Sequence, residues 1–332
     1  MPPRPAHHTT NRGFRNPWPG SPEQRAAGMW RWIWDRARHG RLFAGPRGTP
    51  PTMATAAIVS PRSAPDSCRI TWIGHSSFLL QIDGLNVLTD PVFGDRASPL
   101  SFVGPKRLVP PGIALDALPP IDIVLQSHDH YDHLCDATVR AIALHSPTAT
   151  WCCPLGVGPQ LRARGVHQVV ELDWHQSAAA SDAQVHCIPA RHFAGRTITG
   201  RNATLWCGWV LATAHHRIYF VGDTGDHPDF GNIAHDHGPF DAVLMPIGAY
   251  DPRWFMAPVH VNPEEAVAAL AAIAAHQSVP PVMVGMHWGT FVLTDEPVDE
   301  PPTRTRAAWN GTEFPEQNLW IMQPGETRTL DR

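Results

Sequence analysis

The 332-residue chain is 43% hydrophobic and 17% charged, so it can bury a sizeable core, and wholesale disorder is excluded. Its 35 Pro and 26 Gly make it loop-rich, and a net charge of −4 offers nucleic acid no global attraction. Its 20 His stand out, because imidazole is the commonest protein metal ligand.

Residues 1–25, rich in Pro, Arg, His and Asn, read as an extended arm. No apolar signal core opens the sequence and no run of 18 apolar residues occurs, so the expectation is a cytoplasmic protein, soluble or peripheral on the inner face of the membrane. In MWRWIWDRARHGRLF, Trp30, Ile33, Trp34 and Ala37 fall at helical spacing, ringed by Arg31, Arg36, Arg38 and Arg41. This predicts a basic amphipathic helix whose Trp face, around Trp30–Trp34, suits either a membrane surface or the flank of a main domain. Residues 45–66 form a Pro/Ala/Ser/Thr linker. The expected organisation is arm, helix and linker over 1–66 and one α/β domain over 67–332.

RITWIGHSSFLLQIDGLNVLTDP (69–91) reads as two strands joined by an Asp83-Gly84 hairpin. IDIVLQS, VHCIPA, TLWCGWVLAT, RIYFVG, DAVLMPIG and PVMVGM share the short apolar texture of buried strands. CDATVRAIALHS reads as a helix, and a second one opens at Asn262 as N-cap with Pro263 in its first turn. The six cysteines, none in a C-x-x-C pair, read as free thiols.

Five of the apolar runs lead into residues that can hold a metal. IDIVLQS runs into His128-Asp129-His130-Tyr131-Asp132-His133, and VHCIPA into His192. RIYFVG leads to Asp223 and PVMVGM to His287, while His260 follows DAVLMPIG at a distance. Functional groups of α/β proteins gather where strands end, so these residues can converge on one rim. His128, His130 and His192 make one ligand set. Asp132 and His133, expected at the start of the following helix, make a second with His287, and Asp223 is the natural bridge. Two divalent ions against two carboxylates leave a site that favours an anionic substrate. Asp90 reads as an acceptor supporting a ligand His. His215, His216, His235 and His237, in expected loops, and His7 and His8, in the arm, lack matching spacing. No dinucleotide fingerprint, P-loop or G-x-S-x-G elbow is present.

At SHDHYDH (127–133), His192, Asp223 and His287 the sequence resembles the metallo-β-lactamase superfamily. Within it, the chain is most similar to the N-acyl-phosphatidylethanolamine-hydrolysing phospholipases D, through WIGHSSFLL, LTDPVF, GPKR, PPIDIVLQSHDHYDHL, FVGDTGD, PIGAYDPRWFM, HVNPEEA, MHWGTF and the arm's GFRNPWP. The resemblance implies an αββα sandwich with two face-to-face β-sheets flanked by helices. It also implies two zinc ions, one on His128, His130 and His192, the other on Asp132, His133 and His287, with Asp223 bridging. The same ligand chemistry admits Fe²⁺ or Mn²⁺. The implied activity is hydrolysis of N-acyl phosphatidylethanolamine or a related phospholipid to N-acylethanolamine and phosphatidic acid by a metal-bridging hydroxide. Asp132 would handle the nucleophile's proton, and His260 would lie near the substrate phosphate. Implied partners are the phospholipid, a membrane surface and a second copy of the chain, and no nucleic acid. The alternatives are a lactonase or ester hydrolase of a small phosphorylated metabolite on the same metals, or a non-catalytic lipid- or metal-binding protein.

Overall fold

The computed structural model describes residues 5–9, 13–19, 25–41, 45–100, 102–196 and 200–330. Parts of the predicted arm (1–4, 10–12 and 20–24) and the end of the predicted amphipathic segment (42–43) lie outside the described residues.

Among these residues fourteen strands form two mixed seven-stranded sheets. One holds β1 (Cys68–Gly74), β2 (Ser77–Ile82), β3 (Leu85–Thr89), β4 (Ile123–Leu125), β5 (Thr150–Pro154), β6 (Gln168–Leu172) and β14 (Thr327–Leu330), with β14 beside β1 at one edge. The other runs in order from β7 (Ser177–Ala180) through β8 (Ala183–Ile188), β9 (Gly208–Ala212), β10 (Arg217–Phe220), β11 (Ala242–Pro246) and β12 (Val282–Met286) to β13 (Leu319–Trp320). This is the expected αββα arrangement.

The strands lack polar alternation because both faces of each sheet are covered. In the first sheet Ile70, Leu80, Val87 and Leu125 join a core shared with Val185, Phe220 and Met245 of the second. Their neighbours Leu79, Leu88 and Val124 face outward onto Val139 and Ile142 of α2 (Asp136–His145) and Leu161 of α3 (Gly158–Arg162). The period-2 pattern survives as a choice between two apolar layers. Outside the second sheet lie α4 (Phe230–His237), α6 (Pro263–Ala274) and α7 (Glu300–Trp309). Asn262 caps α6 as expected, in a reciprocal capping box with Glu265. β3 to β6 pair in parallel, as do β10 to β13, so the carboxyl ends of β3 and β4 share one edge and those of β10 and β12 another.

Three local expectations are corrected. Residues 69–91 make three strands, because Gly74 (φ 132°) and His75 (φ 56°) turn the chain between β1 and β2 inside a run that stays apolar on both sides. Asp132 and His133 sit in the turn before α2, which begins only at Asp136. His235 and His237 lie in α4 rather than in loops.

The Trp-rich helix exists as α1 (Arg25–Arg38), but it docks through a different face from the one its periodicity picks out. Gly28 faces the Phe255 ring of α5 (Arg253–Met256), where an added Cβ would sit 3.0 Å from a ring carbon, and Trp32 packs on Phe255 at 5.5 Å between ring centres. Trp32 Nε1 and Arg36 donate to Asp295 at 2.6 and 2.8 Å. Positions 28, 32 and 36 form one helix row, and Ile33 of the predicted stripe is half-buried beside it while its two indoles point away. Trp30 and Trp34 remain 72% and 57% exposed.

The arm also packs against the domain. His7 and His8 donate from Nε2 to the two oxygens of Asp173, each at 2.7 Å, and His7 stacks on Trp174. Asn16, buried, donates through Nδ2 to the carbonyl of His192 at 2.8 Å, so the arm braces a loop of the site described next.

Candidate metal centre

The centre forms where the two carboxyl-end edges face each other across the sandwich. Beyond β4 the chain delivers His128, His130, Asp132 and His133; His192 follows β8, Asp223 follows β10 and His287 follows β12 directly. Gly222 makes the Asp223 position accessible: its φ is 66°, and a Cβ there would meet the Cys207 carbonyl oxygen at 2.6 Å. His287 and Asp90 also hold positive φ, 62° and 30°, conformations rare for side-chain-bearing residues and concentrated at functional sites.

All seven residues singled out as ligands converge, in the two groups read from their spacing. His128 Nε2 and His192 Nε2 lie 2.9 and 3.3 Å from His130 Nδ1. In the second group His133 Nε2 and His287 Nε2 lie 3.5 and 3.6 Å from Asp132 Oδ2. Asp223 Oδ2 sits between the groups, 3.9 and 3.6 Å from His128 and His192 and 3.2 and 3.1 Å from His133 and His287. His133 Nε2, His287 Nε2 and Asp223 Oδ1 are buried without a hydrogen-bond partner. Converging lone pairs that hydrogen bonding leaves unsatisfied are what divalent cations of borderline softness bind, so the donor set fits two such ions.

The candidate ligands are held from behind. His133 Nδ1–H donates to Asp90 Oδ2 at 2.6 Å. His128 Nδ1–H donates to Ser127 Oγ at 2.9 Å, and that hydroxyl donates in turn to the same Asp90 oxygen. Asp90, with no exposed surface, therefore fixes the ring orientation of one histidine in each group, with each Nε2 turned toward the centre. His192 Nδ1–H donates to the Val259 carbonyl at 2.9 Å. Arg196 clasps the 129–136 turn, donating to the carbonyls of Asp129 and Leu134 and to the Asp136 carboxylate, with its guanidinium 4.0 Å from the Tyr131 ring centre.

Burial and neighbouring charges shift the titratable groups of the site unevenly. Burial pushes the Asp223 carboxyl up, but His133 and His287 outweigh it and hold it well below the usual carboxylate range; Asp132 is likewise held low against its burial, by His133 first. Burial pulls His287 down, but Asp223 and Asp132 lift it to about 9, and the same carboxylates with Asp90 raise His133. His128 and His192 go the other way: burial drives His128 well below its ordinary value and His192 to about 3.

A cavity of about 450 Å³ opens onto His130, Asp132, His192, Asp223 and His260. Its other walls are apolar, Trp30 and Trp32 of α1 with Phe193, Phe255, Met256 and Leu293, and Arg201 stands among them. His260 is 5.0 and 5.1 Å from the rings of His192 and His287, and Arg253 donates to its carbonyl at 2.8 Å while gripping Glu265 of α6. A larger cavity, about 720 Å³, lies along Asp129, Tyr131 and Arg196, but none of the candidate ligands opens on it.

Residues 85–288 match the beta-lactamase superfamily domain. The chain belongs to this superfamily. A protein of Mycobacterium tuberculosis without an assigned activity is 51% identical over 72% of this chain and 63% of its own length. N-acyl-phosphatidylethanolamine-hydrolyzing phospholipase D 1 of Caenorhabditis elegans is 40% identical over 67% of this chain and 64% of its own length. The chain thus spans somewhat less than two thirds of these relatives and, within the superfamily, resembles the N-acyl-phosphatidylethanolamine-hydrolysing phospholipases D. The metallo hydrolase Igni18 of Ignicoccus hospitalis, 20% identical, shares the fold with a TM-score of 0.59 over 80% of this chain and 99% of that one.

Three contributors escaped sequence reading. Asn16 and Arg196 act on backbone carbonyls, a role without a motif. His75 sits in WIGHSSFLL, where the Gly-His-Ser-Ser break between two apolar runs was the available signal.

Proposed function

We propose that the protein is a metal-dependent hydrolase of phosphodiesters, cleaving N-acyl phosphatidylethanolamine or a closely related phospholipid in the manner of a phospholipase D. The observation that carries this reading is the cavity: a floor of imidazole and carboxylate under apolar walls fits a substrate with an anionic centre and a long hydrocarbon part. The names of the nematode relative and of a yeast mitochondrial one, 32% identical over 79% of this chain and 56% of its own length, support the same substrate class.

His128, His130 and His192 would hold one divalent ion and Asp132, His133 and His287 the other, with Asp223 shared; zinc suits the set, and Fe²⁺ or Mn²⁺ are accommodated by the same ligands. When bound, such ions supply Lewis-acid polarisation of a phosphoryl group and activation of water near neutral pH. The protein's part is positioning. Asp132 faces the cavity and can accept the proton of the attacking water. His260, on the opposite flank beside His192, can donate to a phosphate oxygen or to the departing alkoxide. Phe193, Phe255 and Trp32 line the path for the acyl part and exclude water from it.

Substrate delivery follows from α1. No helix among the described residues is long and apolar enough to cross a membrane. Met29, Trp30, Trp34 and Trp254 are instead exposed beside the cavity mouth, with Arg31 over Trp254 at 4.3 Å and Arg38 over Trp34 at 4.4 Å. Exposed Trp interleaved with Arg fits peripheral binding to an anionic bilayer, which would set the mouth against the lipid surface. A homodimer belongs to the same proposal and is read directly by sedimentation equilibrium.

The test is product identification by mass spectrometry after incubating zinc-loaded protein with mixed micelles of N-acyl phosphatidylethanolamine. N-acylethanolamine plus phosphatidic acid is expected, and none with Asp223→Ala. Intact lipid from protein that hydrolyses lactones would overturn the lipid reading.

A further inference from the structure

His75 is buried at the inner wall of the centre, 1% exposed, yet the ligand count above does not use it. Its backbone is held from three directions in the left-handed region, at φ 56°. Its N–H donates to Thr290 Oγ1 at 2.6 Å, and its carbonyl accepts the indole N–H of Trp72 at 2.9 Å and the backbone N–H of His287 at 3.1 Å. Two of those three ties run to the segment that carries His287. A non-glycine residue kept in such a conformation by so many contacts points to a demand on its side chain.

The ring shows what the demand is. It packs 4.0 Å from the ring centre of His287 and 5.1 Å from that of His133, with the edge of Phe291 closing the far side at 5.4 Å. Its Nε2 lies 3.0 Å from Asp132 Oδ2, a hydrogen-bond length. His133 and His287 stand farther from that oxygen, at 3.5 and 3.6 Å, and instead reach Asp223 Oδ2 at 3.2 and 3.1 Å. Among the described ion pairs His75 meets Asp132 alone. His133 and His287 thus converge on the space between the two carboxylates, and His75 holds the same Asp132 oxygen, Oδ2, that they face.

We propose that His75 is a positioning residue: its Nε2–H fixes the Asp132 carboxylate toward His133 and His287 and so sets the affinity of the second metal position. This rests on the two-metal reading. Asp132 occupies a turn ahead of α2 rather than a helix, so its rotamer is not fixed by helical neighbours. A donor from the turn after β1, in the same sheet as β4, supplies the missing constraint, and hydrogen-bond partners of ligating carboxylates carry about 10–100-fold in metal affinity.

The test is metal counting by inductively coupled plasma mass spectrometry, with chelator competition, on wild type, His75→Ala and His75→Gln, using zinc alone and then cobalt for its ligand-field spectrum. Near-ultraviolet circular dichroism confirms folding, and the glutamine variant, close in size and able to donate to Asp132, serves if the alanine variant does not fold. Expected are two ions in wild type, a second site weakened about 10–100-fold in His75→Ala, an unchanged first site, and substantial recovery in His75→Gln. Unchanged affinity of both sites in His75→Ala would overturn the proposal. Outright loss of one ion in both variants would overturn it too, by making His75 a ligand. Fewer than two ions in wild type would instead sink the two-metal reading beneath it.

Discussion

Replacing Asp90 with asparagine tests how far the centre depends on residues that never meet substrate. Asp90 Oδ1 accepts from the Ser127 N–H at 2.6 Å and from Gln126 Nε2 at 3.0 Å, and Oδ2 accepts from His133 Nδ1–H and the Ser127 hydroxyl. Every neighbour is a donor, so an amide must point its NH₂ at two donors in either orientation. The less costly orientation turns the Ser127 hydroxyl to accept and leaves His133 Nδ1–H facing an N–H. His133 can then escape by moving its proton to Nε2, which removes the lone pair aimed at Asp132 and Asp223. A hydrogen bond to a charged group contributes about 1.5–3 kcal/mol, and at about 1.4 kcal/mol per decade this corresponds to a loss of about 10–100-fold in metal affinity. The loss should fall mainly on the Asp132–His133–His287 site, which meets Asp90 directly. The His128 site, reached only through Ser127, should change less. Stepwise zinc titration against a chelator of known affinity reads both constants. Equal affinities in Asp90→Asn and wild type would refute the reasoning.

Three further outcomes are expected. Trp34→Ser removes an exposed indole that does not line the cavity, so partition onto anionic vesicles should fall about tenfold or more, in line with about 1.5–3 kcal/mol for a buried large apolar side chain; co-sedimentation measures it, and unchanged partition would count against α1 as the docking helix. Gly222→Ala puts a Cβ against the Cys207 carbonyl at a positive φ, costing about 1–3 kcal/mol and displacing the neighbouring Asp223, so both the Tm and the zinc count should drop. The arm should detach in acid. Burial raises the Asp173 carboxyl, but His7 and His8 outweigh it and hold it below its ordinary value. The attachment is therefore fully present above an unfolded carboxyl value of about 3.9 and is lost as pH falls through the lower folded value. Limited proteolysis with an acid-tolerant protease should find the arm protected at pH 5 and cleaved well below pH 4, and Asp173→Asn should expose it at both.

Much of this was legible in the chain because the chemistry is concentrated at strand ends. Four short apolar runs, ending before His128, His192, Asp223 and His287, announced both their burial and the edge at which they stop. The spatial grouping of the candidate ligands followed from spacing, since His128 and His130 leave β4 together and Asp132 and His133 come just after them. The turn at His75 was legible in the Gly74-His75-Ser76-Ser77 break between two apolar runs and was passed over because the Asp83-Gly84 hairpin gave the stronger turn signal. The role of α1 stayed open for a related reason. Periodicity reports which stripe is apolar and not what covers it, and here Trp30 and Trp34 are exposed while Gly28, Trp32 and Arg36 make the contact with the domain. Interactions with backbone carbonyls, such as those of Asn16 and Arg196, leave no residue-type signature.

The most direct test of the central claim is a crystal structure of the zinc-loaded protein with anomalous data collected at the zinc edge. The account predicts two peaks about 3.5–4 Å apart, one against His128, His130 and His192 and one against Asp132, His133 and His287, with an Asp223 oxygen between them. A single peak, or a pair elsewhere in the chain, would contradict it.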